Sequence, residues 1–131
     1  MQLLISHFPA SIFRPPYGSI GARTRESFSR SVPAGRTPTI VKWSVDVEDW
    51  IYGRSIPQDE ELDDEPGTKE DKIERWQAQK QLESFKRDLD RGGTLGVSHY
   101  NFRSTASILR DMIKLVREKG LKIRTVSQCL R

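Results

Sequence analysis

His99, Asp46, Asp49 and Arg14 have the residue types and neighbours to do chemistry, and each ends or follows a stretch that reads as a β-strand. His99 is flanked by Ser98, Tyr100 and Asn101. It reads either as a half-buried histidine whose ring a neighbour satisfies, or as a general acid whose charged form a nearby carboxylate favours. Asp46 and Asp49, at the end of another strand, are the available carboxylates. Arg14 precedes Pro15-Pro16, and on that rigid turn it is either a surface arginine or a guanidinium fork held to orient a carboxylate. Tyr17 sits where a turn can aim a backbone N–H into a cleft, the arrangement that binds oxyanions. Trp43 and Trp50 fit a core. Trp50, just past the acidic turn, also fits a sugar-stacking or pocket wall.

The elements that must position these residues alternate in type. Ser11-Ile12-Phe13-Arg14 is a short strand halted by two prolines, which cannot donate to a ladder. Residues 20–31 read as a polar helix, and Pro33, Gly35 and Pro38 make 31–38 a loop. The stretch 39–45, rich in β-branched and aromatic residues, is the clearest strand and delivers Asp46 to Trp50 at its end. Residues 53–70 contain Gly53, Pro57, Pro66, Gly67 and an acidic run, and read as a solvated loop insertion with no packing face. Ala78, Leu82, Phe85 and Leu89 recur at spacings of 4, 3 and 4, which predicts a helix over about 71–90, stopped by Gly92-Gly93. Residues 94–98 form a strand ending at His99. Ser104 or Thr105 caps the next helix, whose stripe is Ile108, Leu109, Met112, Leu115 and Val116. The last alternating stretch, 121–126, reads as a strand. This order is that of right-handed βαβ units on a parallel sheet, an α/β fold. Ligand sites in such folds form at the C-terminal ends of strands, where Arg14 to Gly18, Asp46 to Trp50 and His99 fall.

Composition removes several function classes. A chain of 131 residues is too short for a complete (β/α)8 barrel of about 250. The single cysteine, Cys129, excludes an internal disulfide and any multi-cysteine metal site. No apolar run approaches the roughly 18 residues of a membrane span. The opening Met-Gln-Leu-Leu-Ile-Ser-His-Phe lacks the basic start of a secretory signal. The net charge of +4 is unevenly spread, with one acid, Glu26, in residues 1–45 and eight acids against Lys69 in residues 59–71. Neither a basic stripe interleaved with aromatics nor a reading motif accompanies it, so nucleic acid is not an expected partner.

Three segments taken in order, Arg-Pro-Pro-Tyr-Gly (14–18), Trp-Ser-Val-Asp-Val-Glu-Asp-Trp (43–50) and Leu-Gly-Val-Ser-His-Tyr (95–100), closely resemble the C-terminal part of a NodB-homology polysaccharide deacetylase. That family comprises the chitin and peptidoglycan N-deacetylases, and the ending 119–130 is most similar to fungal chitin deacetylases. The resemblance covers about residues 8–130. It implies that Arg14 orients the catalytic base and that the Tyr17 backbone N–H helps hold the tetrahedral oxyanion. By the same resemblance Asp46 belongs to the Asp-x-x-Asp-Trp motif, Asp49 tunes the catalytic histidine and Trp50 lines the acetyl pocket. Val97 stands at the leucine of a Leu-x-His motif, a change in the pocket wall, and His99 protonates the amine leaving group. Tyr100 follows His99 where the family commonly has aspartate.

The family's first motif, of Thr-Phe-Asp-Asp-Gly-Pro type, supplies the base and a metal ligand, and its second, of His-Ser/Thr-x-x-His type, supplies two metal histidines. Neither occurs here, and the chain has only two histidines, His7 and His99. His7 reads as a surface or packing residue. The expectation is therefore the C-terminal half of a partial (β/α) barrel with parallel strands, residues 1–131, that lacks the metal-ligand and base motifs. The resemblance implies a divalent metal, zinc or cobalt, for the intact domain and none held by this chain. It implies an N-acetylglucosamine polymer such as chitin as substrate, and an extracellular or cell-wall setting. The chain is expected to be an inactive fragment of a hydrolase. The alternatives are a non-catalytic glycan-binding remnant, or half of a split enzyme whose N-terminal half is a separate partner.

Overall fold

The computed structural model describes residues 11–130, so His7 lies outside the described residues. The chain divides into two compact units, one running to Lys42 and including Leu130, the other Trp43–Cys129. In the first, strand β1 (Ile12–Phe13) pairs in parallel with β2 (Thr39–Ile40), in the register Ile12 to Thr39 and Phe13 to Ile40. Helix α1 (Ala22–Ser31) connects them. It is mostly polar, and it packs through Phe28, which is buried with its ring centroid 5.3 Å from that of Phe13.

The second unit repeats the strand–helix–strand plan with a longer helix. Strand β3 (Val45–Asp46) pairs in parallel with β4 (Gly96–Val97), Val45 opposite Gly96 and Asp46 opposite Val97. Between them run the short helix α2 (Asp49–Tyr52), a 3-10 turn at Asp59–Glu61, and the 22-residue helix α3 (Lys69–Asp90). After β4 come α4 (Arg103–Ser107), α5 (Leu109–Glu118) and α6 (Val126–Cys129). The core is Val47, Ile108 and Met112, against which Ala78, Leu82 and Phe85 of the apolar stripe pack half-buried, while the fully buried positions of α3 are Gln81, Ser84 and Leu89. The α/β character thus rests on two small two-stranded parallel sheets, and no closed barrel forms among the described residues. No described helix is long and apolar enough to cross a membrane.

Helix α3 starts two residues earlier than its apolar spacing predicts. Thr68 caps it: its hydroxyl accepts from the Asp71 N–H at 3.2 Å, and the Asp71 carboxylate accepts from the Thr68 N–H at 2.9 Å. Such a reciprocal cap contributes about 1 kcal/mol. The helix closes at Gly92, whose φ of 90° suits glycine, as the Gly93 N–H donates to the Asp88 carbonyl. Gly93 itself has no room for a side chain. A Cβ there would stand 2.5 Å from Val45 Cγ2, 2.6 Å from the Ser44 carbonyl oxygen and 2.9 Å from the Asp88 carbonyl oxygen. Two of these atoms are backbone and cannot swing aside. Gly93→Ala is expected to lose about 2 kcal/mol of stability, read as a lower denaturation midpoint at unchanged slope. An unchanged midpoint would show that the close approach is not required.

Three expectations from the sequence change. The strand predicted over 39–45 is split. Its start pairs with β1, where the Val41 N–H also donates to the Phe13 carbonyl at 2.9 Å. Its end pairs with β4, where the Ser44 N–H donates to the Leu95 carbonyl at 2.9 Å, so the break falls at Lys42 and Trp43. The Ser44 hydroxyl adds to the second pairing, accepting from the Thr94 and Leu95 N–H groups at 2.9 and 3.1 Å. The stretch 121–125 forms no strand. Gly120, at φ 71°, turns the chain so that the Leu121 N–H closes α5 on the Val116 carbonyl, and Leu121 and Ile123 stay exposed.

The third concerns residues 53–70, which stay largely exposed but are tied to the rest of the chain at several points. Arg75 grips Asp63 with two bonds of 2.7 Å, Lys72 reaches the Asp63 carbonyl at 2.8 Å, and Lys69 pairs with Asp59 at 2.8 Å. The Arg75 hydrogen bond holds the Asp63 pKa below the usual carboxylate value, and the Lys69 hydrogen bond does the same for Asp59. A depressed folded-state pKa means that these ties are fully present above the unfolded carboxylate pKa of about 3.9. They are lost as pH falls through the lower folded values. The protection of the amides of residues 59–65, taken relative to the intrinsic exchange rate at each pH, is therefore expected to fall below about pH 4. The fall should be blunted in Arg75→Ala, whose loop is already loose at neutral pH. Protection unchanged through that range in the native chain would remove the ionic strap.

Candidate active site

The chain leaves β3 through a turn that its own carboxylates build. Asp46 accepts from the Trp43 indole N–H at 2.9 Å and from the Glu48 N–H at 2.8 Å, so both its oxygens are engaged within the chain. Glu48 then adopts a left-handed conformation, φ 55° and ψ 29°, which is uncommon for a residue with a side chain. Two groups of α3 hold its carboxylate there: the Ser84 hydroxyl donates at 2.6 Å and Arg87 at 3.3 Å. Arg87 also donates to Asp88 at 2.9 Å; this bond and the one to Glu48 raise the Arg87 pKa, and Arg87 lowers that of Asp88. Asp88 in turn accepts from the Asp46 N–H at 3.1 Å.

That turn delivers Asp49, at the first position of α2, into full burial. Its carboxylate meets the end of β4. Oδ1 lies 2.7 Å from His99 Nδ1, and Oδ2 accepts from the His99 backbone N–H at 2.5 Å. The Thr105 hydroxyl stands 3.2 Å from Oδ2, and 3.1 Å from Oε1 of Gln81, whose Nε2 donates to the Ser104 hydroxyl at 2.7 Å. Gln81, Ser104 and Thr105 are all buried. The two bonds from Asp49 fix both the backbone and the ring of His99. With the carboxylate as acceptor, Nδ1 carries a proton, and Nε2 is the nitrogen left for a ligand on a side chain that remains 43 % exposed.

No family model, curated protein or solved structure matches the chain.

The structure thus brings two of the residues read from the sequence, Asp49 and His99, into direct contact. Trp50 and Tyr100, which follow them, are exposed, at 54 % and 100 %. They flank the dyad in the chain with two aromatic surfaces open to solvent. Val97 is half-buried and lines an apolar cleft of about 520 Å³ with Val45, Leu89 and Met112; that lining includes Ser98 but neither Asp49 nor His99. Arg14 and Tyr17 belong to the first unit. There the 3-10 turn Pro16–Gly18 places Tyr17 in a left-handed conformation, φ 55°, with its side chain almost wholly exposed. Among the described residues no three His, Cys, Asp or Glu side chains converge to hold a metal ion. The donors that the implied zinc or cobalt needs are therefore not matched in this part of the chain. What the arrangement offers is proton transfer at His99 Nε2.

Sequence reasoning misplaced Ser104 and Thr105 and overlooked Gln81, Ser84 and Asp88. Phe102 occupies the N-cap position of α4, so both hydroxyl residues lie inside the helix and face the interior. The α3 residues had a signal. Gln77, Gln81, Ser84 and Asp88 recur at 4, 3 and 4, the same spacing as the apolar stripe and one residue behind it. Gln77 donates to the Ser55 carbonyl at 2.9 Å, which completes a polar line along α3 that holds residues 46–55 and α4.

Proposed function

We propose that this chain carries the acid side of a carbohydrate N-deacetylase of the NodB-homology type, a portion of a (β/α) barrel domain acting on an N-acetylglucosamine polymer such as chitin. The observation that carries the reading is the buried Asp49 clasping His99 at the ends of two parallel strands. The charged ring donates its Nδ1 proton to Asp49 and presents Nε2–H outward. As the C–N bond of a tetrahedral adduct breaks, the electron pair leaves with nitrogen and takes the Nε2 proton, releasing a neutral amine and a neutral ring. Asp49 remains the acceptor throughout, so it positions rather than transfers. Trp50, exposed beside the dyad, forms a wall against which an acetyl group or sugar face packs. The family's metal and base motifs have no counterpart in these 131 residues, so protonation of the leaving group is the step this chain supplies. The remaining steps fall to a second, N-terminal half.

The test is NMR titration of the chain with N-acetylglucosamine oligomers and, separately, with fully deacetylated oligomers. The acetylated oligomers are expected to shift the His99 ring and Trp50 indole signals, and the deacetylated ones to shift them far less. A response confined to Trp50 would replace the acid reading with glycan binding. No response to either oligomer would overturn both.

A further inference from the structure

A single hydroxyl stands between two buried acceptors. Thr105 Oγ1 lies 3.2 Å from Asp49 Oδ2 and 3.1 Å from Gln81 Oε1, yet it carries one proton. With the Gln81 amide turned this way, one oxygen pair meets without a proton between them. Asp49 and Gln81 are both 0 % exposed, so bulk solvent does not reach the contact to relieve it. Half a turn about the last side-chain bond exchanges the amide nitrogen and oxygen while leaving their positions the same. Nε2 then donates to Thr105 Oγ1, Thr105 gives its proton to Asp49 Oδ2, and the Ser104 hydroxyl, 2.7 Å from the other end of the amide, donates to Oε1. Each contact gains one donor and one acceptor.

We propose that Gln81 presents its NH2 to Thr105, and that Ser104, Gln81 and Thr105 form a one-directional chain of donors ending on Asp49. Its role is to fix the carboxylate so that neutral His99 keeps its proton on Nδ1 and turns Nε2 outward. Gln81 and Thr105 are positioning residues. The chain of donors explains why polar side chains occupy buried positions on α3 and α4, where an apolar residue would pack more cheaply. Its catalytic meaning rests on the reading of His99 as the acid, because only an outward Nε2 can hand a proton to a leaving group.

The experiment is NMR on the full chain labelled with nitrogen-15 and carbon-13, at a pH where the His99 ring is neutral. Native protein is expected to show His99 in the Nδ1–H tautomer, with cross-relaxation from the Gln81 NH2 protons to the Thr105 methyl group. Thr105→Val, which removes the hydroxyl and keeps the shape, is expected to give a mixture in which the Nε2–H form becomes a major species. Thr105→Ser should restore the native tautomer. A purely structural role would lower the melting midpoint of Thr105→Val and leave the tautomer unmoved. Full retention of the Nδ1–H form in Thr105→Val would overturn the proposal, and so would Gln81 NH2 contacts to Ser104 alone. If Thr105→Val does not fold, the Gln81 contacts in native protein decide the matter by themselves. Sugar takes no part in these readouts. A confirmed donor chain without an oligomer response sinks only the deacetylase reading, and an oligomer response with the wrong amide orientation sinks only the donor chain.

Discussion

Asp49→Ala is expected to cost the second unit about 1–3 kcal/mol and to free the His99 ring from its fixed orientation. The carboxylate serves three donors: the His99 backbone N–H, the His99 ring and the Thr105 hydroxyl. The half-exposed ring can turn to water, so its loss counts for little. Thr105 is buried and cannot reach water, and the His99 N–H ties the end of β4 to the start of α2. Leaving the His99 N–H without its acceptor and Thr105 with Gln81 alone costs about 1–3 kcal/mol, and a domain of this size has only about 5–15 kcal/mol to lose. Asp49→Asn should cost less, because its amide oxygen still accepts while its NH2 opposes one donor. The measurement is the denaturant midpoint of each variant at unchanged slope, with the His99 ring tautomer read in parallel. An Asp49→Ala midpoint equal to that of the native chain would show that Asp49 does not hold β4 to α2.

Residue types at the strand ends left Asp46 and Asp49 both open as the partner of His99, and parallel strands bring such ends together; the family resemblance was what singled out Asp49. Helix α3 was legible because Ala78, Leu82, Phe85 and Leu89 report a period that burial enforces. What escaped was polar burial. Gln81, Ser84 and Asp88 look like a solvated helix face until the partners Ser104, Glu48 and the Asp46 N–H are in place, and those lie 23 to 42 residues away in the chain. Ser44 escaped because a strand's pattern of side chains does not show that a hydroxyl will also accept from the neighbouring segment. The stretch 121–126 has a strand's alternation, but alternation supplies no partner edge. There Gly120 and the closure of α5 on Leu121 decide the path instead. In the acidic stretch composition shows the charges but not the ties: two of its acids, Asp63 and Asp59, pair with Arg75 and Lys69 from the helix that follows.

Purified chain incubated with N-acetylglucosamine oligomers and zinc or cobalt is expected to release no acetate above a protein-free control. A general acid contributes about 10²- to 10⁴-fold to a rate, whereas enzymes reach 10⁶- to 10¹⁷-fold over the uncatalysed reaction. Even a fully effective His99 therefore leaves amide hydrolysis too slow to measure. The difference must come from an activated nucleophile, and zinc that activates water is held by three protein ligands with a fourth position open. The second unit offers one histidine, already bonded through Nδ1 to Asp49, and its acids are dispersed or paired. Adding an N-terminal half that carries the family's base and metal motifs is expected to bring acetate release, and His99→Ala in this chain should then lower it by about 10²-fold or more. Metal-dependent turnover by the chain alone, lost in His99→Ala, would mean that its own residues assemble the metal site and that the division of labour proposed between the two halves is wrong.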